Sequence, residues 1–295
     1  ASDVYKRQLM DLNDWRKHIR QAVADDGFWV GIANEDGVPF MEVPPFEDLK
    51  FPRNRMAVSE FELTLHAPAD TPIKDELIAE GIGVQDEAGR LVPASGPTRM
   101  LIVEVPGQPR LAYFITHATI SGAGAPDTLV IKGVDAVDCL AFWPGPSIPL
   151  EVQRAKFQTW NEDASGERYG TPRRLAQVPF ATAADGYTMK GCARSVIRDF
   201  VDDSLKSVNA LMGWAGDEHA VVDYSGGVDD SREIYLRTSD DYILDTIAAP
   251  LKNAGLYLRV DMWWPGDDPV VVRGGATKSW DRPMLIIRID SMKEA

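Results

Sequence analysis

Short apolar runs cut by turn residues constrain this chain more than any other feature. Three follow one another in the middle of its first half: Arg99–Val105 (RMLIVEV), Arg110–Ile120 (RLAYFITHATI) and Thr128–Lys132 (TLVIK). Pro106-Gly107-Gln108-Pro109 separates the first two and is a turn by composition; Gly122–Asp127 separates the next pair. Strands this short, joined by turns and not by helices, predict a barrel or sandwich rather than βαβ units. Upstream, Phe28–Ile32 and Val38–Val43 flank Asn34-Glu35-Asp36-Gly37, a good hairpin loop. Ala57–Leu65 (AVSEFELTL) alternates as a half-buried strand does, with a bulge expected near Ser59 and Glu60.

Helical spacing appears at other places. Leu12, Trp15, Ile19 and Val23 predict an amphipathic helix over 9–26, stopped by Gly27. The stretch 68–98 is rich in Pro, Gly and charge, with a short helix expected near Asp75–Glu80 and a weak hairpin around Glu87–Arg90. Val134, Val137, Leu140 and Ala141 carry helical spacing that Trp143-Pro144-Gly145-Pro146 ends. Residues 144–188 read as a long, mostly irregular excursion, uncommon unless functional or docked on a partner. The clearest helix is 190–214, with one continuous apolar stripe from Val196 to Met212. A second spans 239–254, with a Thr238/Asp241 cap, Gly255 just past its end, and Pro250 as a kink or an earlier stop. Strands Leu256–Met262, Val270–Val272 and Met284–Ile289 close the chain. The fold class expected is β-rich α+β. A β-barrel or split barrel covers 27–133, and an α/β portion covers 134–295, where two long amphipathic helices pack on a small sheet.

Residues 1–8 (ASDVYKRQ) resemble a peptide that recurs when sequencing-adapter DNA is translated. They are read as a non-native leader, with an ordinary polar tail as the alternative.

Composition mostly excludes. Against 31 Lys and Arg stand 45 Asp and Glu, a net charge of −14, so a general nucleic-acid or anionic-membrane binder is not expected. No run of about eighteen apolar residues suggests a membrane anchor. Cys139 and Cys192 read as small buried hydrophobes, and no CxxC or Cys/His cluster suggests zinc. His18, His66, His117 and His219 are scattered, and HExxH, GxSxG, GxxxxGK[ST] and GxGxxG are missing, so neither catalysis nor a cofactor is expected. Three features offer chemistry. The acidic loop Asp223–Glu233 (DYSGGVDDSRE) has oxygen ligands for Ca²⁺, though a solvated turn suits its spacing better. Adjacent Trp263 and Trp264 are a tentative interaction surface: alternation turns one inward and leaves the other exposed or in an interface, as a protein contact or a sugar platform. Asp202-Asp203 and Asp240-Asp241 read as solvated helix positions, without the cleft that a glycosidase pair needs.

The order of elements carries a resemblance that no single motif does. A strand pair around Asn34–Gly37 is followed by V-S-E-F-E-L-T-L at 58–65, and by R-M-L-I-V-E-V at 99–105 with Y-F-I-T-H-A at 113–118. Then come T-L-V-I-K-G-V-D-A-V-D-C-L at 128–140, W-P-G-P at 143–146, the helix at 190–214, and Y-I-L-D-T-I-A-A-P-L-K-N-A-G-L-Y-L-R-V at 242–260. Over about residues 27–290 this series resembles the tail-hub family of minor tail proteins, also called baseplate hub or tail-associated proteins, from long-tailed phages of actinobacteria. The 9–26 helix departs from that pattern, and the family continues into further β structure, so the chain is expected to be truncated C-terminally. The resemblance implies a non-enzymatic virion protein at the tail tip, assembled in the host cytoplasm as a trimeric ring. Its implied partners are further copies of itself, the distal tail protein, the tape-measure protein, and tail fibres or receptor-binding proteins. The ring would line part of the DNA exit channel. The alternative is a carbohydrate-binding or cell-wall-degrading module, which requires two carboxylates converging in a cleft beside Trp263 or Trp264.

Overall fold

The computed structural model of the chain describes residues 10–68, 71–78, 85–90, 96–123, 127–181 and 188–292. The leader assigned to 1–8 lies outside them, as does Glu80. Strand outweighs helix, 36% to 26%, in keeping with the α+β, β-rich class read from the sequence. Two compact units result. The first takes residues 1–137, 260–268 and 279–285, and the second takes 138–259, 269–278 and 286–295. No helix among the described residues is long and apolar enough to cross a membrane.

The first unit opens with α1 (Leu12–Asp26), β1 (Trp29–Ala33), β2 (Pro39–Glu42), β3 (Asp48–Lys50) and β4 (Glu60–His66). The short helix α2 (Pro72–Leu77) and strands β5 (Met100–Glu104), β6 (Leu111–Ser121) and β7 (Thr128–Asp135) follow. Asp11 caps α1 by accepting the Asp14 amide at 2.9 Å, and Gly27 ends it in the left-handed region. The seven strands form one sheet, ordered β2-β1-β5-β6-β7-β4-β3 and curled into a half-barrel. Each neighbouring pair is antiparallel, as turn-linked strands dictate. Alternation sorts β4: Phe61, Leu63 and Leu65 are buried while Glu60 and His66 face out. They join Leu101, Val103, Leu129 and Ile131 in the core.

Gly133 on β7 sits between Phe61 of β4 and Ile115 of β6. A Cβ there would lie 2.0 Å from the Phe114 carbonyl oxygen and 2.5 Å from the Phe61 ring. That ring fills the space left by the glycine and meets Tyr113 edge-on, with centroids 5.2 Å apart. The bulge expected on the Ser59 strand is found instead across the sheet, between Ile115 and His117. Ser59 lies just before β4, where its carbonyl accepts the Asp135 amide of β7 at 2.8 Å and its buried hydroxyl accepts the Asn54 amide at 2.7 Å.

In the second unit, α3 (Cys139–Phe142) and α4 (Pro149–Arg154) precede β8 (Phe157–Glu162), β9 (Arg168–Ala176) and β10 (Thr188–Cys192). Then come α5 (Ala193–Met212), β11 (Ala220–Val222), β12 (Glu233–Arg237), α6 (Ile243–Ala254) and β13 (Leu256–Trp263). Strands β14 (Val270–Val271), β15 (Thr277–Lys278) and β16 (Met284–Ser291) finish the chain. The small sheets are ordered β11-β16-β13, β10-β12, β14-β15 and β8-β9. The end of β13 and the start of β16 belong to the first unit. The predicted stripe of α5 is buried at Val196, Ile197, Phe200, Val201 and Leu205, and Gly213 ends the helix left-handed. In α6 the stripe is Ile243, Ile247 and Leu251.

Two expectations change here. The stretch 144–188 is not mostly irregular: it holds α4 and the hairpin β8–β9, with residues 182–187 outside the described set. And α6 starts at Ile243, not after Thr238. Asp240 takes a positive φ of 62°, its carboxylate accepts the Ser147 amide and hydroxyl at 2.7 and 2.8 Å, and Tyr242 bridges to Pro144. These contacts keep Asp240 left-handed and Tyr242 extended, so the helix cannot begin at the local capping signal. Pro250 does not stop α6, which runs on to Ala254 with Gly255 as its left-handed cap.

Candidate functional site

The adjacent tryptophans lie in the first unit, and neither indole faces solvent: Trp263 is 4% exposed and Trp264 0%. Alternation fails because β13 ends at Trp263 and the chain turns at once. Trp264–Asp267 is a tight turn, with the Asp267 amide donating to the Trp264 carbonyl at 2.9 Å, Pro265 second and Gly266 third at φ 89°. Asp267 accepts from Arg110 at 2.7 Å, from Arg16 at 2.8 Å and from the Trp264 amide at 2.8 Å. Arg110 lies 3.7 Å over the Trp264 ring, whose N–H donates to the Gly37 carbonyl at 3.0 Å. Trp263 meets Trp280 edge-on and donates to the Asp268 carbonyl at 2.8 Å. A side chain at 266 would collide with the Arg16 guanidinium, 2.1 Å from the Cβ position. The pair is therefore an anchor for the turn. Its nearest carboxylate is neutralised by two arginines, and neither ring offers a face to a sugar.

The acidic loop of the second unit caps a helix. Three amides at the start of α5 find acceptors in it: Ala193 donates to the Arg232 carbonyl at 3.0 Å, Arg194 to Ser231 Oγ at 2.9 Å, and Ser195 to Asp229 Oδ2 at 2.9 Å. A carboxylate there also meets the positive end of the helix dipole. Burial pushes the Asp229 carboxyl up, but hydrogen bonds from Ser195 and Ser231 outweigh it and hold the group below its ordinary range. Asp223, 2% exposed, pairs with Arg288 and accepts from the Ser225 amide and hydroxyl. Arg198, 5% exposed, donates to Asp290 at 2.8 Å and to the Ile289 carbonyl at 3.1 Å. Burial lowers the affinity of Arg198 and Arg288 for their protons. Asp223 and Asp229 of the loop that suggested calcium are thus committed, Asp223 to Arg288 and Ser225, Asp229 to Arg194 and the Ser195 amide. No group of three or more His, Cys, Asp or Glu able to hold a metal ion occurs among the described residues.

The remaining candidates fall apart in space or into structural roles. Asp202 is buried rather than solvated; it pairs with Lys206 at 2.6 Å and, like Asp203, with Arg273. Asp240 and Asp241 precede α6 rather than lying on it. Cys139 and Cys192 are in no disulfide among the described residues and are half-buried rather than fully so. His18 pairs with Glu42, and His66 and His219 each lie 3.9 Å from an aspartate.

The surface that sequence reasoning passed over is aromatic and belongs to the second unit. Phe142 is 69% exposed and meets Tyr242 edge-on at 6.4 Å. Next to them Trp143 tilts against the exposed Trp214, with centroids also 6.4 Å apart. The Trp143 indole N–H is shielded and has no hydrogen-bond partner among the described residues. The signal was present: three of these rings flank chain breaks at Pro144 and Gly213, where a helix ends and its apolar side chains lose their neighbours. The sequence reading used Pro144 only as a helix stop and ran the 190–214 helix past Gly213.

No protein-family model matches the chain, and no curated protein does. Solved structures similar to it include a tail protein from Neisseria meningitidis MC58, at TM-score 0.36 and 11% identity, covering 88% of this chain and 50% of that one. Another is the 43 kDa tail protein of prophage MuSo2 from Shewanella oneidensis, at TM-score 0.37 and 12% identity, covering 88% of this chain and 55% of that one. The chain spans about half the length of each.

Proposed function

We propose that this chain is a structural, non-enzymatic protein of a phage tail tip. In this reading it forms a trimeric hub that joins the distal tail and tape-measure proteins to tail fibres or receptor-binding proteins and lines part of the DNA exit. The observation that carries the reading is the order of elements. A curled antiparallel sheet of seven strands comes first, and two long amphipathic helices over small sheets follow, as the resemblance requires. The open aromatic surface around Phe142 and Trp214 supports it, because an assembly protein keeps apolar area for its neighbours. The charge of −14 suits a wall that DNA passes without sticking. Antibody raised against the chain, applied to phage particles encoding it and viewed by electron microscopy, should label the distal end of the tail. Label along the shaft, or none on intact particles, would overturn the reading.

A further inference from the structure

Among the described residues the hairpin β8–β9 is a sheet of two strands and no more. It is little buried for its length: only Trp160, Tyr169 and Ala176 are even half-covered, and the other described positions are exposed on both faces. A two-stranded hairpin of this kind is marginal in water, since neither face buries enough apolar area to order the chain. Each strand also leaves an outer edge unpaired among the described residues. Yet the tip is carefully built. Asp163 accepts from the Ser165 amide at 2.8 Å, the Ser165 hydroxyl at 2.6 Å and the Glu167 amide at 3.1 Å, and Gly166 takes the left-handed conformation. The stem pairs arginines with rings: Arg173 lies 4.6 Å from the Tyr169 centroid and Arg174 5.3 Å from that of Phe157. The indole N–H of Trp160 is shielded with no hydrogen-bond partner among the described residues.

We propose that this arm docks on a second copy of the same chain, with its stem against the aromatic surface around Phe142, Trp214 and Tyr242. Charge complementarity selects the occupant. Lys156, Arg173 and Arg174 make the stem basic on a chain whose net charge is −14, so a second copy is an acidic partner. On the receiving face Trp214 opens a turn closed by Asp217, whose amide donates to the Trp214 carbonyl at 2.9 Å, and Glu218 follows. Arginines and aromatics on the arm thus meet aromatics and carboxylates on the face. A nucleic acid suits the arm less well, because Glu162, Asp163 and Glu167 crowd its tip and would face the phosphates. Arm and face are different patches, so the contact can run head-to-tail from copy to copy, and it closes into a ring where the rotation between copies allows. It supplies the contact that the proposed hub needs and rests on that reading in this one respect; particle labelling decides the hub reading separately.

The test uses the full chain in sedimentation velocity, with far-UV circular dichroism as the folding control. The wild type should self-associate, and an arm variant (Arg173→Glu with Arg174→Glu) should weaken that by about tenfold or more. A face variant (Phe142→Ser with Trp214→Ser) should weaken it similarly. Replacing 157–176 by a short Gly-Ser linker gives a second arm variant whose loss touches no core residue. Arm and face variants, each monomeric alone, should form a one-to-one complex when mixed, since each retains the patch the other lacks. Self-association that persists in both arm variants would overturn the proposal and leave the hub reading standing. A wild type that stays monomeric at every concentration would overturn it too. So would a monomeric wild type that binds a fluorescein-labelled DNA duplex through the arm.

Discussion

Asp229 shows how a residue that looks chemical can be architectural. Its carboxylate joins two tasks, closing the first turn of α5 through Ser195 and facing the buried guanidinium of Arg194 at 3.7 Å. Replacing it by alanine should cost roughly 2–3 kcal/mol, the sum of a lost cap and a weakened buried pair, read as a lower urea midpoint. The same residue sets a pH dependence. Its folded pKa is depressed, so its contribution is complete above the ordinary carboxylate range near pH 4 and is lost as pH falls through the lower folded value. Asp229→Ala should therefore be nearer the wild type at strongly acidic pH than at neutrality. A difference independent of pH would refute this assignment. Sequence could not separate cap from ligand, because both ask for an Asp beside Ser and Gly in a loop. What decides is the helix end brought from 34 residues away.

Elements were legible where their periodicity belonged to their own fold. β7 and the stripe of α5 each bury one face, β5 is a continuous apolar run buried on both, and burial is what these patterns encode. Hairpin β8–β9 was illegible for the converse reason: with both faces wet, no alternation exists to detect. Its Gly170 and Pro172 then read as loop. Where elements meet, single positions matter more than pattern. Gly133 illustrates this, because β7 can pass beneath the Phe61 ring only without a Cβ. In most strands glycine-to-alanine is stabilising or neutral, but Gly133→Ala should lose roughly 2–3 kcal/mol through forced displacement of the Phe114 carbonyl and the Phe61 ring. Thermal unfolding of that variant at or above the wild-type midpoint would show that the sheet yields more easily than its geometry implies.

On the scale of the whole molecule, the first unit is discontinuous. Trp264, fully buried there, hydrogen-bonds to Gly37, and Arg110 is bound from both Glu104 and Asp267. A fragment ending at Val137 loses the indole, Asp267 and Met284 together. It should unfold without a cooperative transition, or show far-UV strand signal without the near-UV signal of fixed aromatic rings. A sharp, wild-type-like transition in that fragment would mean that the late segments decorate the sheet rather than complete it. The sequence reading treated 27–133 as self-sufficient because hydrophobic pattern reports which residues want burial, not which distant residues bury them.

That discontinuity also imposes an order in time. The chain passes between the two units five times before its end. On the ribosome, the curled sheet is translated early, but its Gly37 carbonyl waits for the Trp264 indole, and Arg110, already within reach of Glu104, waits for Asp267. Throughout that interval the nascent sheet is open at the place where the indole belongs, and any chaperone that attends this protein has its longest task there.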